Sequence, residues 1–126
     1  MRADPADRSR AGRQAESLAA AFLESRGLAI VARNVRNRFG EIDLIARDRD
    51  TLVFVEVRLR RSARFGGASA SITAAKRRRI VAAAERYLST LDRTPPCRID
   101  AVLLDSLDAT RIEWLRDVAS AGGISW

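Results

Sequence analysis

Apolar residues recur along the chain at two spacings, which predict where its helices and strands lie. A spacing of three and four residues extends over 12–26 and returns over 73–89, as on one face of an amphipathic helix. Gly27 is the expected end of the first helix, and Thr73 is the expected N-cap of the second. The pattern therefore predicts two helices, each with one face turned to a core.

Five shorter stretches have the length and the apolar content of β-strands. They cover residues 28–31, 41–47, 52–60, 98–104 and 111–115. An Arg- and Asn-rich turn over 34–40 precedes the second stretch, and the polar residues 48–51 join the second and third as a hairpin. The predicted order is α-β-β-β-α-β-β, which fits an α/β or α+β fold around a mostly antiparallel sheet. We expect the α/β class, with helices that flank a mixed, mostly antiparallel sheet.

The length and composition of the chain fit one globular domain. A chain of 126 residues buries a substantial core but is too short for two domains of ordinary size. Its composition, 47% hydrophobic and 31% charged, is typical of globular proteins. We expect a flexible N-terminal tail over 1–11, a single domain over 12–119 and a C-terminal tail over 120–126.

The positive charge of the chain favours a polyanionic partner. The formal net charge is +7, which indicates nucleic acid before an anionic membrane surface, although solubility alone accounts for part of such a charge. No apolar run approaches the ~18 residues of a membrane span, and the first residues lack the apolar region of a signal peptide. Cys97 is the only cysteine, which suits a reducing compartment. We expect a cytoplasmic protein without a membrane partner, either a monomer or a homodimer.

The absence of histidine narrows the chemistry that the chain can perform. With no histidine and one cysteine, it cannot build a zinc site of the Cys/His kind or use histidine as a general base. Any catalysis would therefore depend on carboxylates, arginines and the single lysine.

The register of the predicted hairpin brings two carboxylates together. A loop of two or four residues within 48–51 places Asp43 opposite Glu56 and Glu41 opposite Arg58. The same register gives one continuous apolar face, formed by Ile42, Leu44, Ala46, Val53, Val55 and Val57. Carboxylates opposite each other have Cβ atoms roughly 4.5–5.5 Å apart and repel. Mg²⁺ or Mn²⁺ would relieve that repulsion, because these ions prefer oxygen ligands.

Other interpretations of these carboxylates stay open on the residues alone. Asp43 would pair with a nearby arginine, and Glu56 would point out of an edge of the sheet, without any metal. Glu16 lies at the margin of the buried stripe of the first helix. From there it would either lean towards a metal bound at the hairpin or remain solvated.

Two cations near the carboxylates are candidates for stabilising charge on a phosphate. Arg58 would neutralise Glu41 or stabilise a phosphate under attack, but a guanidinium cannot serve as a general base. Lys76 is the only lysine and lies one turn before Ile80, on the apolar side of its helix. It would reach the sheet, contact a phosphate, or remain a surface cation.

Two arginine runs bracket the carboxylate pair. The first flanks a glycine-containing loop and the second lies on the second helix; they comprise Arg60, Arg61 and Arg64, and Arg77, Arg78 and Arg79. A charge run is ordinarily a solvated face. On either side of two carboxylates, however, it suits the backbone of a nucleic acid, and we expect a binding groove here.

Several motifs, in order and at suitable spacing, resemble the YraN family of predicted endonucleases. They are GRQAE at 12–16, NVR at 34–36, GEIDLI at 40–45 and VFVEVR at 53–58. Segments 65–66, 73–76 and 98–100 fit as well, so the resemblance extends over about residues 12–102. It implies a restriction-endonuclease-like core of the PD-(D/E)xK type, similar to archaeal Holliday-junction resolvases.

The resemblance also implies roles for individual residues. Asp43 and Glu56 match the two carboxylates of the motif, and Glu16 matches a helical glutamate that joins the metal site in the resolvases. Arg58 lies where the motif usually has lysine, so Lys76 would supply the missing amine from the next helix. Arg98 and Asp100 match the family pattern as well, and we interpret both as structural.

These inferences predict cleavage of phosphodiester bonds in DNA, in preference to RNA, with Mg²⁺ or Mn²⁺ as cofactor. The expected substrate is branched or otherwise structured DNA. Because the motif lysine is absent, a catalytically inactive nucleic-acid-binding module of the same fold is the alternative. A structural or partner-binding protein, whose charge serves only solubility, is the third possibility.

Overall fold

The computed structural model describes residues 5–59, 73–105 and 111–118. Their elements follow the predicted order: α1 (Pro5–Ser25), β1 (Ala29–Asn37), β2 (Gly40–Asp48), β3 (Thr51–Leu59), α2 (Ala74–Leu88), β4 (Cys97–Leu104) and β5 (Ile112–Leu115). The fold is α/β, with a mixed five-stranded sheet flanked by the two helices, as the sequence predicts. No helix in the described part of the chain is long and apolar enough to cross a membrane.

The strands lie in the sheet in the order β1-β2-β3-β4-β5. Three neighbouring pairs are antiparallel, and β3 and β4 are parallel. A parallel pair requires a long crossover, and α2 supplies it. The hairpin register is confirmed where β2 and β3 pair, with Leu44 opposite Val55 and Arg47 opposite Leu52.

Two boundaries differ from the prediction. Helix α1 begins at Pro5, before the expected start at residue 12; proline fits a first helical turn because the N–H it lacks has no partner there. Strand β1 extends to Asn37, through most of the predicted turn over 34–40. Its polar residues pair with β2, and that pairing overrides their low strand propensity.

The two helix boundaries that the sequence predicts from capping are confirmed. The Thr73 hydroxyl accepts a hydrogen bond from the Lys76 amide at 3.2 Å, so Thr73 is the N-cap of α2 and Lys76 lies in its first turn. Gly27 adopts a left-handed φ of 94° two residues after the end of α1. Glycine adopts this conformation without steric cost, which explains the end of the helix.

The sheet has an apolar layer on each face. The layer under α1 includes Leu23, Leu44, Ala46, Val53, Val55 and Val102. The layer under α2 includes Ile42, Ile45, Phe54, Ile80, Ala84 and Ile99. Ile42 therefore packs with Ile45 on the α2 side. The prediction that Ile42 and Leu44 share one apolar face is wrong, because the alternation of side chains between the two faces of β2 breaks at Asp43.

Candidate active site

The candidate site begins where β2 and β3 part. Within the described strands their ladder ends with Leu44 opposite Val55 and does not continue to Asp43 and Glu56. Instead, Oδ2 of Asp43 accepts a hydrogen bond from the Val57 amide at 2.8 Å. A carboxylate thus takes the place of a backbone carbonyl, which satisfies a buried donor and lets the strands diverge.

Asp43 and Glu56 interact through their side chains. Burial raises the pKa of Glu56 to about 8, and the neighbouring Asp43 carboxylate contributes to this rise. Burial also raises the pKa of Asp43, although the hydrogen bonds that Asp43 forms with Val57 and Glu56 act to lower it. The bond between the two carboxyl groups therefore carries its proton on Glu56, and the pair shares one negative charge near neutral pH.

A third carboxylate, Glu16 on α1, faces the same region. It borders a cavity of about 290 Å³ between α1 and the sheet, whose lining includes Arg13, Asn34, Arg36, Glu41 and Asp43. Burial raises the pKa of Glu16, and the negative charges of Asp43 and Glu41 raise it further. Three acidic side chains thus line this cavity together with two arginines, Arg13 and Arg36.

Asn34 holds the Glu16 carboxylate beside this cavity. With its amide nitrogen turned to the carboxylate, Asn34 donates to Oε2 of Glu16 at 2.8 Å and to Oε1 at 3.2 Å. Its φ of 52° lies in the left-handed region, which is uncommon for a residue other than glycine. The sequence assigned Asn34 no role beyond its place in the NVR motif, and that motif was the only signal.

Arg58 lies on the opposite face of the sheet from the cavity. Side chains alternate along β3, and Phe54 packs under α2, so Glu56 and Arg58 lie on the α2 side. A terminal nitrogen of Arg58 is 3.1 Å from Oε1 of Glu56. Its Nε is buried and has no hydrogen-bond partner among the described residues.

The faces of the carboxylates and the pairing of Glu41 differ from prediction. We expected Glu41 and Asp43 to share a face with Glu56 and Arg58, but Glu41 and Asp43 line the cavity on the α1 side. The predicted option that Arg58 neutralises Glu41 is wrong, because Glu41 pairs with Arg36 at 3.3 Å. The break of alternation in β2 is the physical reason for both differences.

Lys76 lies on α2 near the same carboxyl group. Its positive charge lowers the pKa of Glu56, among smaller contributions. Burial and the neighbouring Arg58 in turn lower the pKa of Lys76, while Glu56 opposes this shift. Two cations therefore approach the Asp43–Glu56 pair from the side of α2.

The structure describes only some of the arginines that we predicted to contact nucleic acid. Arg60, Arg61 and Arg64 lie outside the described residues. Arg77 is half-buried and Arg78 is exposed, next to Lys76 on α2. The Nε of Arg77, like that of Arg58, is buried without a hydrogen-bond partner in the described part of the chain.

The donor set fits a hard divalent cation that retains water. Among the described residues, no three histidine, cysteine, aspartate or glutamate side chains are gathered closely enough to hold a metal by themselves. Mg²⁺, however, is commonly held by one or two carboxylates and several waters. Asp43 and Glu56 supply two such carboxylates, and they are close enough to share a proton that a cation would replace.

Arg98 and Asp100 have the structural role that we assigned to them. Asp100 is fully buried and accepts hydrogen bonds from Nε of Arg98 at 3.0 Å and from Nε1 of Trp114 at 2.9 Å. Arg98 also contacts Asp48 at 3.1 Å. These bonds tie β4 to β5 and to the end of β2.

Comparison with known proteins identifies the family. The model of the uncharacterised protein family UPF0102 matches residues 15–104. A UPF0102 protein of Cupriavidus metallidurans is 53% identical over 98% of this chain and 92% of its own length. A UPF0102 protein of Nitrosomonas europaea is 54% identical over 84% of this chain and 90% of its own length. A UPF0102 protein of Methylobacillus flagellatus is 52% identical over 87% of this chain and 96% of its own length. The chain therefore belongs to the UPF0102 family, the YraN family that its motifs resemble.

Proposed function

We propose that the protein is a metal-dependent nuclease that hydrolyses phosphodiester bonds of DNA. The observation that carries this proposal is the half-buried Asp43–Glu56 pair at the point where β2 and β3 part. Two carboxyl groups in such a place repel unless a proton or a cation lies between them. A protein that needed only a stable sheet would have no use for this repulsion.

Asp43 and Glu56 would hold Mg²⁺ or Mn²⁺, and Glu16 would join them through a water, because the three carboxylates are not gathered closely enough to bind one ion together. When bound, such an ion polarises the scissile phosphate and lowers the pKa of an attacking water. Asn34 keeps the Glu16 carboxylate turned in one direction, since both carboxylate oxygens lie within hydrogen-bond distance of its amide. The orientation of a ligand by a neighbouring side chain is typical of metal sites.

The cations on the α2 side act on the phosphate. The Arg58 side chain is 30% exposed beside Glu56, and its guanidinium would donate a charge-assisted hydrogen bond to a phosphate oxygen. Lys76 adds a second positive charge next to Glu56. Together they stabilise the negative charge that develops on the phosphate, and neither needs to act as a general base.

The arginines beyond the site bind the nucleic-acid backbone. Arg77 and Arg78 continue the positive surface of α2 from Lys76, and the net charge of +7 supports a polyanionic substrate. DNA, and branched or structured DNA in particular, is proposed on the resemblance to resolvases. A cytoplasmic location is proposed on the single cysteine.

A cleavage assay on branched and linear DNA tests the proposal. Wild-type protein should cut with Mg²⁺ or Mn²⁺ and not with chelator, and Asp43→Asn and Glu56→Gln should abolish cutting. Asp50→Asn is the matched control, because Asp50 is an exposed aspartate in the turn of the same hairpin. Equal activity of Asp43→Asn and Asp50→Asn would overturn the proposed site.

A non-catalytic nucleic-acid-binding module is the second candidate. The observation that favours it is the 3.1 Å ion pair between Arg58 and Glu56, which partly neutralises Glu56 without a metal. In that case the wild type would bind DNA in the same assay but leave it uncut with either metal. Failure to bind any nucleic acid at moderate salt would instead favour a structural or partner-binding protein.

A further inference from the structure

The turn between β1 and β2 presents an exposed aromatic ring beside the candidate site. We call residues 37–40, which join Asn37 to Gly40, the hairpin tip. Phe39 lies at this tip and is 40% exposed, an unusual environment for a phenylalanine. The guanidinium carbon of Arg38 lies 4.8 Å from the centre of the ring. The tip thus offers an aromatic face together with a positive charge.

The hairpin tip is held firmly against α2. The Asn37 side chain donates to the Ala83 carbonyl at 3.1 Å and accepts from the Phe39 amide at 3.0 Å. Gly40 approaches the helix so closely that a Cβ there would lie 3.3 Å from the Arg79 carbonyl oxygen. The exposure of Phe39 is therefore a feature of an anchored turn that has its own side-chain hydrogen bonds.

The charges around Phe39 suit a nucleic acid. Arg38 in the tip and Arg79 on the adjoining helix are exposed, and the Arg36 side chain is 78% exposed on the strand that leads into the tip. Arg36 pairs with Glu41, whereas the guanidinium of Arg38 lies against the ring itself. An aromatic side chain among phosphate-binding cations is the usual arrangement for stacking on bases.

The position of the tip relates it to the carboxylates. Phe39 precedes Asp43 by four residues, a distance of at most roughly 13 Å at ~3.3 Å per strand residue. That distance corresponds to about four base steps of a duplex at ~3.4 Å each. A nucleic acid bound at Asp43 would therefore extend to Phe39 within a few nucleotides.

We propose that Phe39, supported by Arg38, stacks on an unpaired base of the bound nucleic acid. This inference rests on the proposed function and names the feature of the substrate that the tip recognises. Bases inside an intact duplex already stack on their neighbours, so the ring finds a partner only where a base is unpaired or displaced. The tip would thus direct the carboxylate site to DNA that contains such a base.

Binding measured in chelator tests this role without cleavage. Two DNAs are compared, a perfect duplex and the same duplex with a short bulge that carries 2-aminopurine at the unpaired position. Phe39→Ala should weaken binding to the bulged DNA by about tenfold or more, the usual loss for one base–aromatic stack. Binding to the perfect duplex should change less than about twofold. Phe39→Tyr should retain the preference of the wild type, and its ring should change the 2-aminopurine fluorescence on binding.

Leu91→Ala is the matched control, since Leu91 is a large apolar residue of similar exposure, 37%, after the end of α2. It should bind both DNAs as the wild type does. Equal losses of affinity for both DNAs in Phe39→Ala, or no loss, would overturn the stacking role. A difference in oligomeric state between Phe39→Ala and the wild type, measured by sedimentation, would also overturn it, because the tip would then be a contact between two copies of the chain.

The two proposals fail in different ways. A wild type that cuts DNA with metal but shows no preference for the bulge would overturn the role of Phe39 and leave the nuclease intact. A wild type that binds neither DNA would overturn both. A thermal melt of Phe39→Ala should match that of the wild type, because the side chain that is removed is exposed.

Discussion

Asp43 replaces a backbone group in the sheet, and this single exchange produces most features of the site. The carboxylate accepts the Val57 amide that the β2–β3 ladder leaves unpaired, so the strands part here. The same contact brings Asp43 to Glu56, and burial raises the pKa of both carboxyl groups. Because the raised pKa keeps a proton on the pair in the folded state, stability should depend on pH, and on any cation that replaces the proton.

The first prediction concerns pH in the absence of metal. The folded-state pKa of Glu56 is about 8, above its ordinary value of 4.5, so the folded state keeps a proton that the unfolded state releases. The free energy of unfolding in EDTA should therefore fall as pH rises from about 4.5 to about 8. Glu56→Gln does not titrate, so the wild type should lose on the order of a few kcal/mol relative to it across this range. Urea denaturation at several pH values measures the difference, and a constant difference would contradict the shared proton.

The second prediction concerns the metal. In EDTA above pH 8 both carboxyl groups are charged, so Asp43→Asn should be as stable as the wild type or about 1 kcal/mol more stable. A cation that binds only the folded state adds about 2.7 kcal/mol at a hundred times its Kd. With Mn²⁺ or Mg²⁺ the order should therefore reverse, because a neutral amide is a poor ligand.

Thermal melts of both proteins, with and without metal, measure this reversal. If Asp43 served only the sheet, Asp43→Asn would be the less stable protein in EDTA as well. Such a result, with melts that do not respond to metal, would remove Asp43 and Glu56 as a metal site.

At the scale of elements, the β2–β3 hairpin is the part of the site that sequence predicts best. Turn length and the pattern of its two faces agree on one register, and pairing follows it up to Leu44 and Val55. The break at Asp43 is not predictable from hydropathy, since it depends on the Val57 amide. The role of Asn34 is equally hidden, because its bond to Glu16 exists only when α1 lies against β1.

The third prediction concerns how α2 contributes to catalysis. The N-cap places Lys76 in the first turn of α2, where its charge acts on Glu56 of the neighbouring strand. If Lys76 stabilises the transition state, Lys76→Ala should lower the cleavage rate on the order of 10² or more while binding changes little. Arg58→Lys, which restores the usual motif residue, should cut at about the wild-type rate or faster.

Single-turnover cleavage and binding in chelator separate the two effects. Arg78→Ala is the control on the same helix, since it removes an exposed cation and should weaken binding without changing the rate at saturating protein. If Lys76→Ala cuts at the wild-type rate while Arg58→Ala is inactive, Arg58 and not Lys76 is the catalytic cation.

At the scale of the whole molecule, the charge distribution decides how the site meets its substrate. The chain carries a net charge of +7, yet its candidate site is built on carboxylates, with Asp43 and Glu56 at its centre. A polyanion would be repelled by those carboxylates unless cations around them, and a bound metal, reverse the local sign. Sequence alone predicts this contrast, because arginine runs on both sides of the hairpin are visible in it. It does not predict which of those arginines contact the phosphates.

The last prediction tests the arginine run that follows β3. Arg60, Arg61 and Arg64 come directly after the strand that carries Glu56 and Arg58, so their replacement by alanine should remove phosphate contacts next to the site. Each contact contributes about −0.9 to the slope of log affinity against log salt on duplex DNA, so the slope should flatten by up to about 2.7. Affinity should fall by a similar factor for every sequence, because phosphate contacts carry no base information. The control variant replaces three exposed arginines elsewhere, Arg49, Arg86 and Arg93, by alanine. It removes the same number of positive charges. If both triple variants flatten the slope equally, net charge alone governs binding; if only the control does so, the groove lies at the other end of the sheet.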